Sequence, residues 1–150
     1  MFDFAQRIMA RQGDGLAETI HRELNKVAEQ LSAEAKFDLG EAHHEGDGVS
    51  QSDAWAVYWW RNAAEQGCGA AQYQLGCAYA NGEGVSKDCV KAHMWFSLNW
   101  NWDSPLRVGP QIFYNPASDQ WIKYVEKFMT SAQIVEAQHL AREWMDSHAS

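Results

Sequence analysis

Four carboxylates, Glu34, Asp38, Glu41 and Glu45, recur at i, i+4, i+7 and i+11. On a helix that spacing sets all four along one side, with Phe37 and His44 beside them. Like charges four residues apart cost an isolated helix roughly a few tenths of a kcal/mol, so helix stability gives no reason for the row. A basic protein partner would, because charge complementarity raises association rate and selectivity. The plainer reading is a solvated face on an acidic protein.

His43 and His44 stand next to Glu45 and Asp47 and invite a metal reading. Neighbours on a helix point about 100° apart, so the two imidazoles cannot easily share one ion, and no H-x-x-x-H spacing occurs. No metal site is expected, and His43 reads as a packed core residue. Cys68, Cys77 and Cys89 form no C-x-x-C and cannot all pair within one chain, so free thiols are expected. G-D-G-V at 46–49 and G-E-G-V at 82–85 look like phosphate loops, but they follow helical patterns rather than strands. Nucleophile-elbow, Walker and dinucleotide motifs are absent. The expectation is therefore no catalysis and no cofactor. A hydrolase built on Asp103, Arg107 and Tyr114 is a remote alternative.

A second candidate surface is the stretch from Trp100 to Pro116, which holds all three prolines together with Trp100, Trp102, Phe113 and Tyr114. Aromatic rings on a long loop serve as binding anchors, or they fill a gap in the core.

The charge of the whole chain narrows the partners. With 12 Lys and Arg against 20 Asp and Glu the net charge is -8. Such a surface repels phosphates and anionic lipid, so no nucleic acid and no membrane are expected as partners. No apolar run is long enough to span a bilayer, and residues 1–15 lack the apolar core of a secretory signal. The expected location is cytoplasmic.

The elements that position these groups follow from a repeat. A shift of 36 residues aligns Ala35, Leu39, Gly40 and Ala42 with Ala71, Leu75, Gly76 and Ala78. It also aligns Gly46, Gly48, Val49 and Ser50 with Gly82, Gly84, Val85 and Ser86, and Ala56 and Trp59 with Ala92 and Trp95. Each copy reads as two helices. The first, about 33–45 and 69–81, has an apolar stripe at 35, 39 and 42/43, and at 71, 75 and 78/79. Gly40 and Gly76 sit inside it, which implies close approach by a neighbouring helix. The Gly-x-Gly pairs end it. The second helix, about 53–66 and 89–101, is capped by Ser52 and Asp88 and carries Trp59, Trp60, Trp95 and Phe96 inward. Trp55 and Tyr58 are left open between the core and the outer surface.

Residues 1–31 read as a worn first repeat: Ala28-Glu29-Gln30 lies 36 residues before Ala64-Glu65-Gln66. After the loop at 102–117, Ser118 opens a helix to Met129 with Trp121, Val125 and Phe128 on one side. Thr130 and Gln133 form a capping box for a last helix over about 131–146, with Ile134, Ala137 or Gln138, Ala141 and Trp144/Met145 facing inward. This pair at 118–148 closes the stack. A helix pair of this size cannot bury its apolar face alone, and stacking on the next pair buries it.

The string A-x-x-x-L-G-x-A-[HY]-x-x-G-x-G-V-S, followed by A-x-x-x-W and A-A-E-Q-G, resembles the Sel-one-like repeat (SLR), a tetratricopeptide-like helix–loop–helix unit. The good copies cover 33–67 and 69–101. The resemblance implies an all-α fold, an α/α superhelix, and a role in protein–protein interaction, often as a bacterial adaptor. It carries over no catalytic motif. Some secreted relatives staple each repeat with a disulfide, and the regular cysteine pairs they use are missing here. In the next copy, Ala70, Gln74, Cys77 and Asn81 are the neutral equivalents of the acidic row, and Tyr73 replaces Phe37. The expected contact surface is therefore Glu34, Phe37, Asp38, Glu41, His44, Glu45, Tyr73, Gln74 and Cys77 in the groove, with Trp100, Trp102, Phe113 and Tyr114 on the loop. An immunity protein neutralising a basic toxin is the alternative role. Self-association through an uncapped end is a further expectation.

Overall fold

A computed structural model describes residues 30–100 and 117–148, together with Glu23, Lys26 and Val27. Among the described residues the regular elements are six α-helices: α1 Ala33–Glu45, α2 Asp53–Glu65, α3 Gly69–Asn81, α4 Cys89–Trp100, α5 Ala117–Glu126 and α6 Ser131–His148. No strand occurs among those residues. The worn repeat at 1–31 and the loop at 102–116 lie almost wholly outside the described residues; Ala117 already belongs to α5.

The helix ends follow the local chemistry of the repeat. Ser32 Oγ accepts from the Ala35 amide (3.2 Å) and Ser52 Oγ from the Trp55 amide (3.3 Å). Asp88 Oδ1 does the same for the Lys91 amide at the start of α4 (3.0 Å). Each bond satisfies one of the amides that a helix start leaves without an internal partner. Gly46 (φ 73°) and Gly82 (φ 71°) end α1 and α3 in the left-handed region, where a Cβ would be strained. The capping box of α6 is complete: the Thr130 amide donates to Gln133 Oε1 (2.8 Å), and the Gln133 amide donates to Thr130 Oγ1 (3.2 Å).

Helices pair within each repeat, α1 with α2 and α3 with α4, and α2 packs on α3 to join the repeats. The closing pair packs on α4 through both of its helices. The result is an all-α helical repeat solenoid. Its core holds Trp60, Leu75, Trp95, Phe96 and Val125, all buried. Burying a side chain of this size is worth about 1.5–3 kcal/mol. Gly40 and Gly76 mark the tightest approaches. A Cβ on Gly40 would lie 2.5 Å from Trp60 Nε1, and one on Gly76 would lie 2.7 Å from Phe96 Cε1. The approaching groups are therefore equivalent rings of the second helix in each repeat.

Three expectations need correction. In α3 the stripe at Ala71, Leu75, Ala78 and Tyr79 is buried as the repeat implies. In α1, Ala35, Leu39 and Ala42 are only half-buried, and the buried row is Ala33, Lys36, Gly40 and His43. The row of α3 is covered by the preceding α2, and the row of α1 has less cover. Second, α5 begins at Ala117 and ends at Glu126. Ser118 is fully buried inside its first turn, and the chain tightens over 127–129 into i→i−3 bonds. Third, Phe128 is 58% exposed rather than core. Its ring lies under Lys87 Nζ (5.2 Å) and against Tyr124.

Candidate functional site

The acidic row lies along α1, and one of its members reaches α3. Glu34, Asp38 and Glu45 are exposed and Glu41 is half-buried. Glu41 Oε1 accepts from Gln74 Nε2 on α3 (3.2 Å). Burial pushes the Cys68 thiol up, and the charges of Glu34 and Asp38 add to the rise. Glu41 is therefore the member of the row that bridges the first helices of two successive repeats. Burial likewise raises the pKa of Glu41, Glu45 adds to the rise, and His44 and the Trp60 indole oppose it.

At the end of this seam His44 Nδ1 lies 3.1 Å from Asp53 Oδ1, which also accepts from Gln51 Nε2 (3.0 Å). A cavity of about 70 Å³ opens here, lined by His44, Asp53, Trp60, Gln74, Cys77 and Glu83. Trp60 is 4% exposed, and its Nε1 has no hydrogen-bond partner. The indole N–H faces Glu41 and helps hold it charged without closing a bond to it.

The neutral residues of the expected surface are half-buried. Phe37 packs against the core. Tyr73 sets its ring on Phe96 (5.9 Å), and its hydroxyl accepts from Trp121 Nε1 (3.2 Å). Burial pushes the Cys77 thiol up to about 11, with Tyr73 opposing the rise and Glu83 adding to it. Such a thiol is not a nucleophile at neutral pH. Trp102, Phe113, Tyr114 and the side chain of Trp100 lie outside the described residues, as do Asp103 and Arg107. Among the described residues, no three His, Cys, Asp or Glu side chains converge as a metal site would need. His43 is 2% exposed, packed in the core.

Sequence reasoning missed His93. It is 2% exposed, at the position that Val57 holds one repeat earlier. His93 Nε2 lies 2.8 Å from Glu126 Oε1 on α5, and Nδ1 lies 3.2 Å from Ser97 Oγ. The order Ser–His–carboxylate has the outline of a nucleophile relay. Ser97 Oγ, however, donates to the His93 carbonyl (2.8 Å), so its proton is committed to the helix. The set ties α5 to α4. A polar residue replacing valine at a core position was the available signal, since a buried imidazole demands a partner. Glu65 is a second tie: it accepts from Trp144 Nε1 on α6 (2.9 Å).

Paired helices repeating in register define a helical-repeat scaffold. The Sel1 repeat family matches residues 33–68 and 69–98. The chain carries two Sel1 repeats, of a repeat fold that is typically a non-catalytic scaffold and generally mediates protein–protein interaction. It is similar to c5321, a protective antigen present in uropathogenic Escherichia coli strains that displays an SLR fold, at 32% identity and a TM-score of 0.68. That match covers 96% of this chain and 29% of c5321. A Sel1 repeat protein from Oxalobacter formigenes is similar at 26% identity and a TM-score of 0.50, over 85% of this chain and 55% of that one. The chain thus spans under a third of the first protein and about half of the second. No curated protein sequence matches it. No described helix is long and apolar enough to cross a membrane.

Proposed function

We propose that the chain is a non-catalytic adaptor that binds a basic protein segment along the α1–α3 seam. The observation that carries this is the uncompensated charge of Glu34, Asp38 and Glu45. All three are exposed, and none forms an ion pair among the described residues. Cations that would neutralise them come from a partner. Long-range attraction of this kind speeds encounter and weakens with salt.

The test is capture from an extract of the host cell by the immobilised chain, with crosslinking to locate the contact. A partner crosslinked to α1 or α3 is expected, retained at low salt. Changing Glu34, Asp38 and Glu45 together to Lys abolishes its capture. Changing the exposed Glu136 and Glu143 of α6 to Lys leaves it unchanged. Capture indifferent to the α1 reversal refutes the reading. A toxin neutraliser would use the same surface, and is distinguished by a captured partner whose enzymatic activity the chain suppresses.

A further inference from the structure

The closing pair is fastened to the last repeat by a buried group whose hydrogen bonds fix its proton count. His93 of α4 is 2% exposed, and its two ring nitrogens face different partners. Nε2 lies 2.8 Å from Glu126 Oε1 on α5, on a side chain that is 35% exposed to water. An ionised carboxylate only accepts, so Nε2 carries a proton. Nδ1 lies 3.2 Å from Ser97 Oγ. That hydroxyl has a single proton, and the His93 carbonyl takes it at 2.8 Å. A bare Nδ1 would set its lone pair against those of Ser97 Oγ. Nδ1 therefore donates as well, and an imidazole that donates from both nitrogens is the charged form.

We propose that a proton on His93 latches α5 to α4: the imidazolium bridges Ser97 Oγ and the Glu126 carboxylate, and the latch loosens when that proton leaves. The charge is paired where it is buried, as an interior ion must be. Among the described residues Glu126 is its one ion-pair partner. Elsewhere on α5, Asp119 pairs with Lys123, and Lys127 is exposed. On α3 the hydroxyls of Tyr73 and Tyr79 accept from Trp121 and Arg61, and Cys77 bonds to Tyr73. On α6, His139 pairs with Glu143 and His148 with Glu65, while Glu136, Arg142 and Asp146 are exposed. On α4 itself Lys91 Nζ lies over the Tyr79 ring. The charged ring gains Glu126 only in the folded chain. Its contribution to stability is therefore present at neutral pH and is lost as the pH rises and the proton leaves. α5 sets Trp121 on Phe96 and α6 sets Trp144 against Trp95, so loosening the closing pair uncovers aromatic surface on α4. The latch does not depend on the adaptor reading.

The repeat supplies the variant that tests this. Val57 is buried at the equivalent position one copy earlier, so His93→Val keeps an apolar filling and removes the titrating ring. Nitrogen NMR of the full chain, isotope-labelled in histidine, reads the ring directly, and the His93 signals are those lost in His93→Val. At about pH 7 both ring nitrogens of His93 are expected to carry protons. In Glu126→Gln, which keeps an acceptor without the charge, one of them is expected to be bare. Raising the pH from about 6 to about 9 is expected to speed amide exchange in α5 by about tenfold beyond the intrinsic change, the scale of one charge-assisted hydrogen bond. His93→Val is expected to lack that step. A bare ring nitrogen on His93 in the parent at about pH 7 overturns the inference, because a ring with one proton has none to release. An equal step in α5 exchange in the parent and in His93→Val overturns it too. Where His93→Val does not fold, the His93 signals are identified by their response to Glu126→Gln, and the proton count in the parent decides.

Discussion

Gly76→Ala sets two effects of opposite sign against each other. In an exposed helix interior, replacing Gly by Ala stabilises by about 1 kcal/mol. Here the added Cβ would stand 2.7 Å from Phe96 Cε1 and 2.9 Å from Cδ1 and Cζ, where carbon atoms prefer about 3.5–4.0 Å. The ring must retreat by roughly 1 Å to reach that spacing. It is fully buried and has little room to do so: Trp121 stacks on it at 5.6 Å and 12°, and Tyr73 meets it at 5.9 Å. The overpacking cost therefore falls in the upper part of the range for cores, about 2–3 kcal/mol. The net expectation is a loss of about 1–2 kcal/mol after the helix gain is subtracted. For a chain of this length that lowers Tm by about 2–8 °C. Urea titration and thermal melts of both proteins measure it. Adding Phe96→Leu makes room for the Cβ, so the double-mutant cycle shows favourable coupling of about 1 kcal/mol or more. A Gly76→Ala protein as stable as its parent, or more stable, refutes the claim that ring contact selects glycine there.

Burial holds the His43 pKa below its usual 6.5. The unfolded chain then binds protons that the folded chain refuses, so stability is full above about pH 6.5 and falls as pH drops toward the folded pKa. His43→Tyr, which copies Tyr79 of the next repeat, is expected to remove that slope from denaturation curves taken between pH 7.5 and about 5. Glu41 contributes with the opposite sign: its raised pKa means that ionisation costs the folded state, so Glu41→Gln gains stability most at neutral pH. Cys77, pushed up to about 11, stays unmodified by iodoacetamide at pH 8 in the folded chain and reacts once urea exposes it, as peptide mass spectrometry would show. Glu126→Ala leaves the buried Nε2 of His93 without its partner and costs about 1–3 kcal/mol, read by urea titration. Faster amide exchange concentrated in α5 would accompany it.

Local pattern alone made much of the molecule legible. The 36-residue shift locates the helices, and short-range chemistry at Ser32, Ser52, Asp88 and the Thr130–Gln133 pair places their starts, because a cap acts within three residues of itself. Gly40 and Gly76 signalled a close approach, since glycine twice at one helical position is otherwise a loss. The acidic row was readable as one side of a helix, but periodicity cannot say which neighbour that side meets. Burial of the α1 stripe was misjudged for the same reason: a row is buried only where another helix covers it, and Ala35, Leu39 and Ala42 have less cover than Ala71, Leu75 and Ala78.

Sequence by itself thus determined the repeat, the helix ends and the inward rings of each hairpin. Tertiary structure decided the rest: that Glu41 reaches Gln74, that His93 meets Glu126, that Glu65 holds Trp144, and that Trp60 is left facing a carboxylate-lined cavity. These partners stand 33 to 79 residues apart. Contacts at that separation depend on how helices cross and stack, and a spacing rule that repeats every few residues carries no information about the crossing.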